Sequence, residues 1–286
     1  KGQIQIDMVT ISKCTGPGIH IRDQSIIKMR KATTKDGRSV NLVISDESTG
    51  EIFDSKFNNS STIGAEIGIT PKIVFSNCEF CDNKACGISV HDNSKTIFES
   101  CKFKSNGQIG IDISGNGCSP TFNQCDISLN SEAGVNCFSN ATPVFNKCTF
   151  SMNTKIAIGC KASSPTVNDS TLTRNGQTAI SVCEKSVFIL NRTTFDSNDN
   201  FAGQIFSNGA ICKLFDCKVT NHSISFVVSD GAKLRCRNTT FGSSKNPQFE
   251  IRSGGIGSFN GCDIGTSACR NGIQVQKNLT WSIEYF

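Results

Sequence analysis

The sequence predicts an all-β solenoid, a single-stranded parallel β-helix of about 12 coils of roughly 23 residues each. Three observations carry the prediction. An apolar pattern, seen most fully at Phe145-Asn146-Lys147-Cys148-Thr149-Phe150 with Asn153 behind it, recurs along the whole chain. A second pattern, small–apolar–polar–apolar, follows each copy, as in Gly110-Ile111-Asp112-Ile113. No stretch between them has helical periodicity.

The first element is set by an anchor position, Cys148 and its equivalents. It falls at Val9, Ala32, Ser55, Cys78, Cys101, Cys125, Cys148, Ser170, Thr193, Cys217, Thr239 and Cys262, in steps of 22 to 24 residues. Three residues earlier every coil has an apolar residue, from Ile6 through Phe98, Phe122 and Phe145 to Phe259. Two residues later the position is apolar in all but Thr34, and polar residues alternate with it, which is strand periodicity. The second element reads Gly18-Ile-His-Ile21, Gly87-Ile-Ser-Val90, Gly134-Val-Asn-Cys137 and Ala157-Ile-Gly-Cys160, a short strand with one buried face. A third short strand, such as Pro120-Thr-Phe122, leads into the next anchor. Stacked about 4.8 Å apart, twelve such coils make a rod on the order of 58 Å long. Asparagine recurs five residues after the anchor at Asn83, Asn106, Asn130, Asn153, Asn175 and Asn198, which predicts a stacked ladder at a tight bend.

These repeats resemble those of right-handed parallel β-helices of the pectin-lyase-like class, as found in NosD-like and F-box-associated β-helices, over essentially the whole chain. The resemblance, with the general rule for parallel crossovers, implies right-handed winding. It also implies that a catalytic member would carry acidic clusters on the exposed face of the second strand, often with calcium, and an Arg or Lys base.

Composition narrows the function classes. Hydrophobic content is 37%, suited to a thin core with many turns, and the formal charge of +5 is spread out and does not by itself imply nucleic acid. No run of 18 apolar residues exists, so no membrane span is expected. The chain reads as one β-helix domain over residues 1–286, a fragment or processed product of a longer chain, because it opens on Lys1 and neither end carries a cap. Trp281, Ile283 and Phe286 stop where another anchor is due.

The 16 cysteines suggest metal or disulfides until their register is considered. Cys78, Cys101, Cys125 and Cys148 share one inward slot with Ser, Thr, Ala and Val, so the slot calls for a small buried residue. Parallel stacking at about 4.8 Å is too wide for a disulfide, which favours free thiols and a reducing, cytoplasmic setting. Cys78-x-x-Cys81 followed by Cys86 resembles a metal spacing, but Cys78 faces inward and Cys81 outward, so no metal site is expected. Eight N-x-[ST] sequons, among them Asn140, Asn191 and Asn238, are weak evidence for secretion in a chain so rich in Asn, Ser and Thr.

The outward position of the second strand reads His20, Val43, Glu66, Ser89, Asp112, Asn136, Gly159, Ser181, Glu250 and Gln274, with no two acids adjacent. The polygalacturonase-like motifs N-T-D, G-H-G and R-I-K are absent. Asp23 and Asp46, equivalent positions in neighbouring coils with His20 nearby, are the candidate catalytic group and could bind calcium or divide acid and base roles. Solvated turn carboxylates are the simpler account of them. Lys28, Arg30, Lys31, Lys35 and Arg38 form the densest basic group, read either as a site for an acidic partner or as a solvated face. Phe sits at core positions, and one Trp and one Tyr leave few aromatic platforms for sugars or bases.

The leading expectation is a non-enzymatic scaffold without cofactor, presenting a flat sheet face to a protein partner or stacking in a larger assembly. The alternatives are a carbohydrate-active lyase or hydrolase using His20, Asp23 and Asp46 with calcium, and a secreted adhesin that binds carbohydrate passively.

Overall fold

The computed structural model describes residues 2–69, 72–242, 244, 246–265 and the strand Ile273–Val275. Every regular element among them is a β-strand. The chain winds through three faces in turn. Sheet 1 stacks twelve strands from Gln3–Asp7 to Ile256–Asn260, and sheet 3 stacks twelve from Ile19–Ile21 to Ile273–Val275. Sheet 2 divides into three strands, Thr10–Ser12 to Lys56–Asn58, and eight, Lys102–Lys104 to Asp263–Ile264. Glu79 joins its two parts by single bridges to Lys56 and Lys102. Pairing is parallel from coil to coil, as from Ile111 to Val135 to Ile158, so about eleven turns separate the first strand of the rod from the last.

Corners use left-handed backbone at fixed places. The residue just before each anchor has positive φ, whatever its type: Ser100 52°, Gln124 54°, Lys147 53°, Asp169 51° and Arg192 46°. A left-handed non-glycine residue costs about 1–2 kcal/mol, so stacking on both sides must hold it there. The anchor therefore sits at the corner itself, and the strand of sheet 2 begins one residue later, as in Thr149–Ser151. The second corner has the same form. The left-handed residue is the one before each ladder asparagine, namely Asp82, Ser105, Leu129, Met152, Arg174 and Ser197, with φ of 53–61°. The bend expected of the asparagines thus belongs to their neighbours, and this frees the asparagine side chains to point inward.

The anchor slot asks for more than small size. Cys148 Sγ donates to Asn146 O in its own coil (3.4 Å) and to Phe122 O in the coil before (3.4 Å). Cys78, Cys101, Cys125 and Cys217 repeat both contacts. Ser55, Ser170, Thr193 and Thr239 donate a hydroxyl to the carbonyl two residues back. A small donor in this slot adds a second hydrogen bond to a corner carbonyl that already accepts a backbone N–H from the preceding coil, as Asn146 O does from Gln124. Burial pushes the Cys217 thiol up to about 11 and those of Cys78 and Cys125 further, so these three stay protonated as the donation requires. All cysteines among the described residues are free thiols.

Phenylalanine fills the space between sheets 1 and 2. Phe75, Phe98, Phe122 and Phe145 stack face to face at 5.1, 4.7 and 4.8 Å, which is the strand spacing itself. Phe57, Phe80 and Phe103 make a second column at 5.3 and 5.1 Å, meeting the first edge-on. The asparagine ladder closes the other side of the core. Gly110 illustrates the fit: a Cβ there would lie 2.7 Å from Gly134 O and 2.8 Å from Asn130 Nδ2, which is why the second motif opens on Gly in this coil.

Candidate functional site

Sheet 3 offers the most varied chemistry on its outer face. Its central row runs His20, Val43, Glu66, Ser89, Asp112, Asn136, Gly159, Ser181, Gln204, Val227, Glu250 and Gln274, in register throughout. The expected row is present, completed by Gln204 and Val227; the Gln274 side chain lies outside the described residues. Two residues further along each strand a second outward row carries Ser114, Phe138, Lys161 and Cys183. Alternation on the strand puts both rows on one face.

His91 extends this second row toward the amino terminus and organises the first cluster. Its Nδ1 lies 2.6 Å from Asp92 Oδ2 and its Nε2 3.3 Å from Glu66 Oε1, so both ring nitrogens meet carboxylates. The ring lies over Gly68, where a Cβ would come 3.4 Å from Cε1. His91 was not among the expected site residues, although its spacing from Glu66 and Gly68, one coil away on the same face, was readable. Asp112 follows in the central row. It is half-buried, burial alone lifts its carboxyl to about 6, and no hydrogen bond or ion pair to it is found among the described residues.

Beyond Asn136 the face opens into a hollow of about 560 Å³ centred on Gly159. Gly159 supplies no side chain to the row, and Asn136 leans over it, with its Oδ1 3.0 Å from where a Cβ would stand. Ile156 and Phe138 line the hollow from opposite ends of the strand, Ser181 from its next coil, and Lys161 and Glu184, paired at 3.1 Å, form its rim. The half-buried Cys183 also lines it and has its thiol pushed up by burial. The only advance signal of this hollow is the glycine in the polar slot of Ala157-Ile-Gly-Cys160.

The other expected groups lie apart from the stretch between Glu66 and Ser181. His20 is exposed at the first strand of sheet 3. Asp23 and Asp46 occupy the turn beyond it in the left-handed conformation, with φ of 60° and 55°. Asp46 Oδ2 accepts from the Asp23 N–H (3.4 Å) and the Ser45 hydroxyl (3.2 Å), and Asp23 pairs with Arg22 at 3.4 Å. The five basic residues do not form one patch. Lys28 and Arg30 stand on sheet 1, Lys31 at the corner, Lys35 on sheet 2 and Arg38 past its end, and Arg30 is paired with Asp7 at 3.5 Å. A tighter basic group is Lys213, Lys233, Arg235 and Arg237 on adjacent strands of sheet 1, with Lys213 beside Arg235 and no ion pair among the described residues. Glu250, at the far end of the central row, is paired with Arg252.

A rod of parallel coils with stacked aromatic and asparagine columns defines the class as a parallel β-helix. The sequence profile of the right handed beta helix region family matches residues 1–142 and 70–212, and the chain belongs to that family. No curated protein matches it in sequence. Among solved structures, the pectate lyase Pel9A is similar at 14% identity and a TM-score of 0.54, over 93% of this chain and 72% of that one. The Agl-KA catalytic domain is similar at 10% identity and a TM-score of 0.67, over 98% of this chain and 62% of that domain. The A-module of the Azotobacter vinelandii mannuronan C-5 epimerase AlgE4 is similar at 11% identity and a TM-score of 0.55, over 98% and 91%. At such identities the likeness is one of fold. No helix among the described residues is long and apolar enough to cross a membrane.

Proposed function

We propose that the chain is a non-enzymatic interaction scaffold that presents the outer face of sheet 3 to a protein partner, within a reducing compartment and without a cofactor. One observation carries this reading. Of the acids in the central row of that face, Glu66 is engaged by His91 and Glu250 by Arg252, which leaves Asp112 alone. No two unpaired carboxylates stand in neighbouring coils of that row among the described residues, so a paired-carboxylate acid–base site finds no support there. Its flat rows of half-buried groups suit an extended partner lying along the rod.

A carbohydrate-acting reading keeps one favourable observation, the imidazole held between two carboxylates one coil from Asp112. In that reading calcium would sit at Asp23 and Asp46, with His20 beside them. Two measurements separate the readings. A photo-crosslinking residue at Ser181, compared with one at Thr171 on sheet 2, should give a discrete product only from Ser181 in the cell of origin. Calcium and acidic oligosaccharides should leave the melting temperature unchanged. A calcium-dependent rise lost in Asp46→Ala, with turnover of the oligosaccharide, would overturn the scaffold.

A further inference from the structure

Asp112, Asn136 and Gly159 follow one another in the central row of sheet 3, one per coil. Each leaves something unsatisfied. Asp112 is a half-buried carboxylate with no cation against it, and the Asn136 amide has no hydrogen bond among the described residues. Gly159 opens the hollow of about 560 Å³, with apolar Phe138 and Ile156 flanking it. The ligand that completes this strip must bring a cation, exposed backbone-like polar groups and an apolar group, in that axial order. A neutral or acidic saccharide would leave Asp112 desolvated without a counter-charge, which is unfavourable. A basic, apolar peptide meets all three needs.

The spacing selects its conformation. Two strand steps, about 9.6 Å, separate Asp112 from Gly159. A polyproline II segment repeats every three residues at about 3.1 Å per residue, so residues i and i+3 face the same way about 9.3 Å apart. Its backbone makes no internal hydrogen bonds, which leaves a carbonyl free midway for the Asn136 amide. We infer that the partner docks through a polyproline-type segment lying along the rod, with a basic side chain at Asp112 and an apolar side chain three residues away in the Gly159 hollow. This rests on the scaffold reading and adds the chemistry of the docking segment.

Fluorescence anisotropy with labelled synthetic peptides tests it. A core of arginine, proline, proline and leucine should bind the intact chain. Moving the leucine one position inward, or replacing the arginine by glutamate, should weaken binding tenfold or more. Asp112→Asn and Gly159→Val should each do the same, with Gly159→Ala as a milder filling of the hollow and Thr171→Ala as a neutral control. Melting curves of the variants identify any that fail to fold. The inference is overturned if the core peptide does not bind, if the displaced leucine binds equally well, or if folded Gly159→Val and Gly159→Ala both retain full affinity. Should Ser181 still crosslink while the peptides fail, the docking segment is wrong and the scaffold reading stands; loss of both sinks the two together.

Discussion

Two asparagine ladders climb this rod, and they differ in nearly everything except residue type. The inner one, Asn83 to Asn198, is buried, and each member makes several contacts. Asn130 Oδ1 accepts from both the backbone N–H and the Nδ2 of Asn106 (3.1 and 3.0 Å), while its own Nδ2 donates to Phe103 O (3.1 Å) and Asn153 Oδ1 (2.9 Å). The outer one stands half-buried on sheet 1 and has a single contact per step. Asn123 donates to Glu99 at 2.7 Å, Asn146 to Asn123 and Asn168 to Asn146 at 2.8 Å, and Asn191 to Asn168 at 2.7 Å. Their Asn-to-Asn bonds run in opposed directions: inner amides donate to the asparagine of the carboxy-terminal coil and outer ones to that of the amino-terminal coil. Equal spacing and equal chemistry therefore do not mean equal weight, because water can replace an outer bond and cannot replace an inner one.

Asn130→Ala is the strongest test of that difference. It strands the Asn106 backbone N–H, takes one partner each from Asn106 Nδ2, Asn153 Oδ1 and Phe103 O in the core, and should lower unfolding free energy by about 3 kcal/mol in denaturant titration. Asp112 supplies the opposite case, a half-buried polar group with no ladder to join. It keeps its proton to about pH 6 in the fold but loses it near the ordinary value of 3.8 when unfolded. The native state then holds the extra proton between these values, so stability falls as pH rises through that window and stays lower above it. Asp112→Asn should stabilise the chain by about 2 kcal/mol at pH 7.5 and by little at pH 3.5.

His222 holds the ladder position in the coil after Asn198. Its Nδ1 lies 3.2 Å from Asn198 O, but Nε2 is buried without a partner, and burial pushes its pKa down. The unfolded chain takes up this proton more readily, so stability should drop as pH falls below about 6.5, the ordinary histidine value. His222→Asn should extend the ladder, add about 1 kcal/mol near neutral pH, and gain more at pH 5. The smallest effect is expected from Asn146→Ala in the outer ladder, about 0.5 kcal/mol by the same titration. An Asn146 loss as large as that of Asn130 would break the comparison.

Much of the architecture was legible because it depends on repetition. The period, the apolar slots at Phe145 and Phe150, the inner ladder and the outward row of sheet 3 all follow from aligning coils. The corners were harder. Ser100, Gln124, Lys147 and Arg192 share one left-handed conformation without sharing a residue type, so composition gives no sign of it. The anchor slot was read as small, but that most of its occupants also donate to corner carbonyls emerges only once those carbonyls are placed. The outer ladder was readable at Asn123, Asn146, Asn168 and Asn191, each two residues before an anchor, yet a polar surface position carries no periodic hydrophobic signal to draw attention. The site was the least legible part. His91 and the Gly159 hollow depend on side chains from different coils leaning toward or away from one another, which register alone does not specify.

Parallel pairing between coils also has a mechanical consequence. The hydrogen bonds of all three sheets point along the rod, so a pull between its ends loads the whole interface between two coils together. Each coil that yields should release its ~23 residues at once, a lengthening of roughly 75 Å at about 3.3 Å per extended residue. Stretched from end to end, the rod would lengthen in a series of equal steps, one coil at a time.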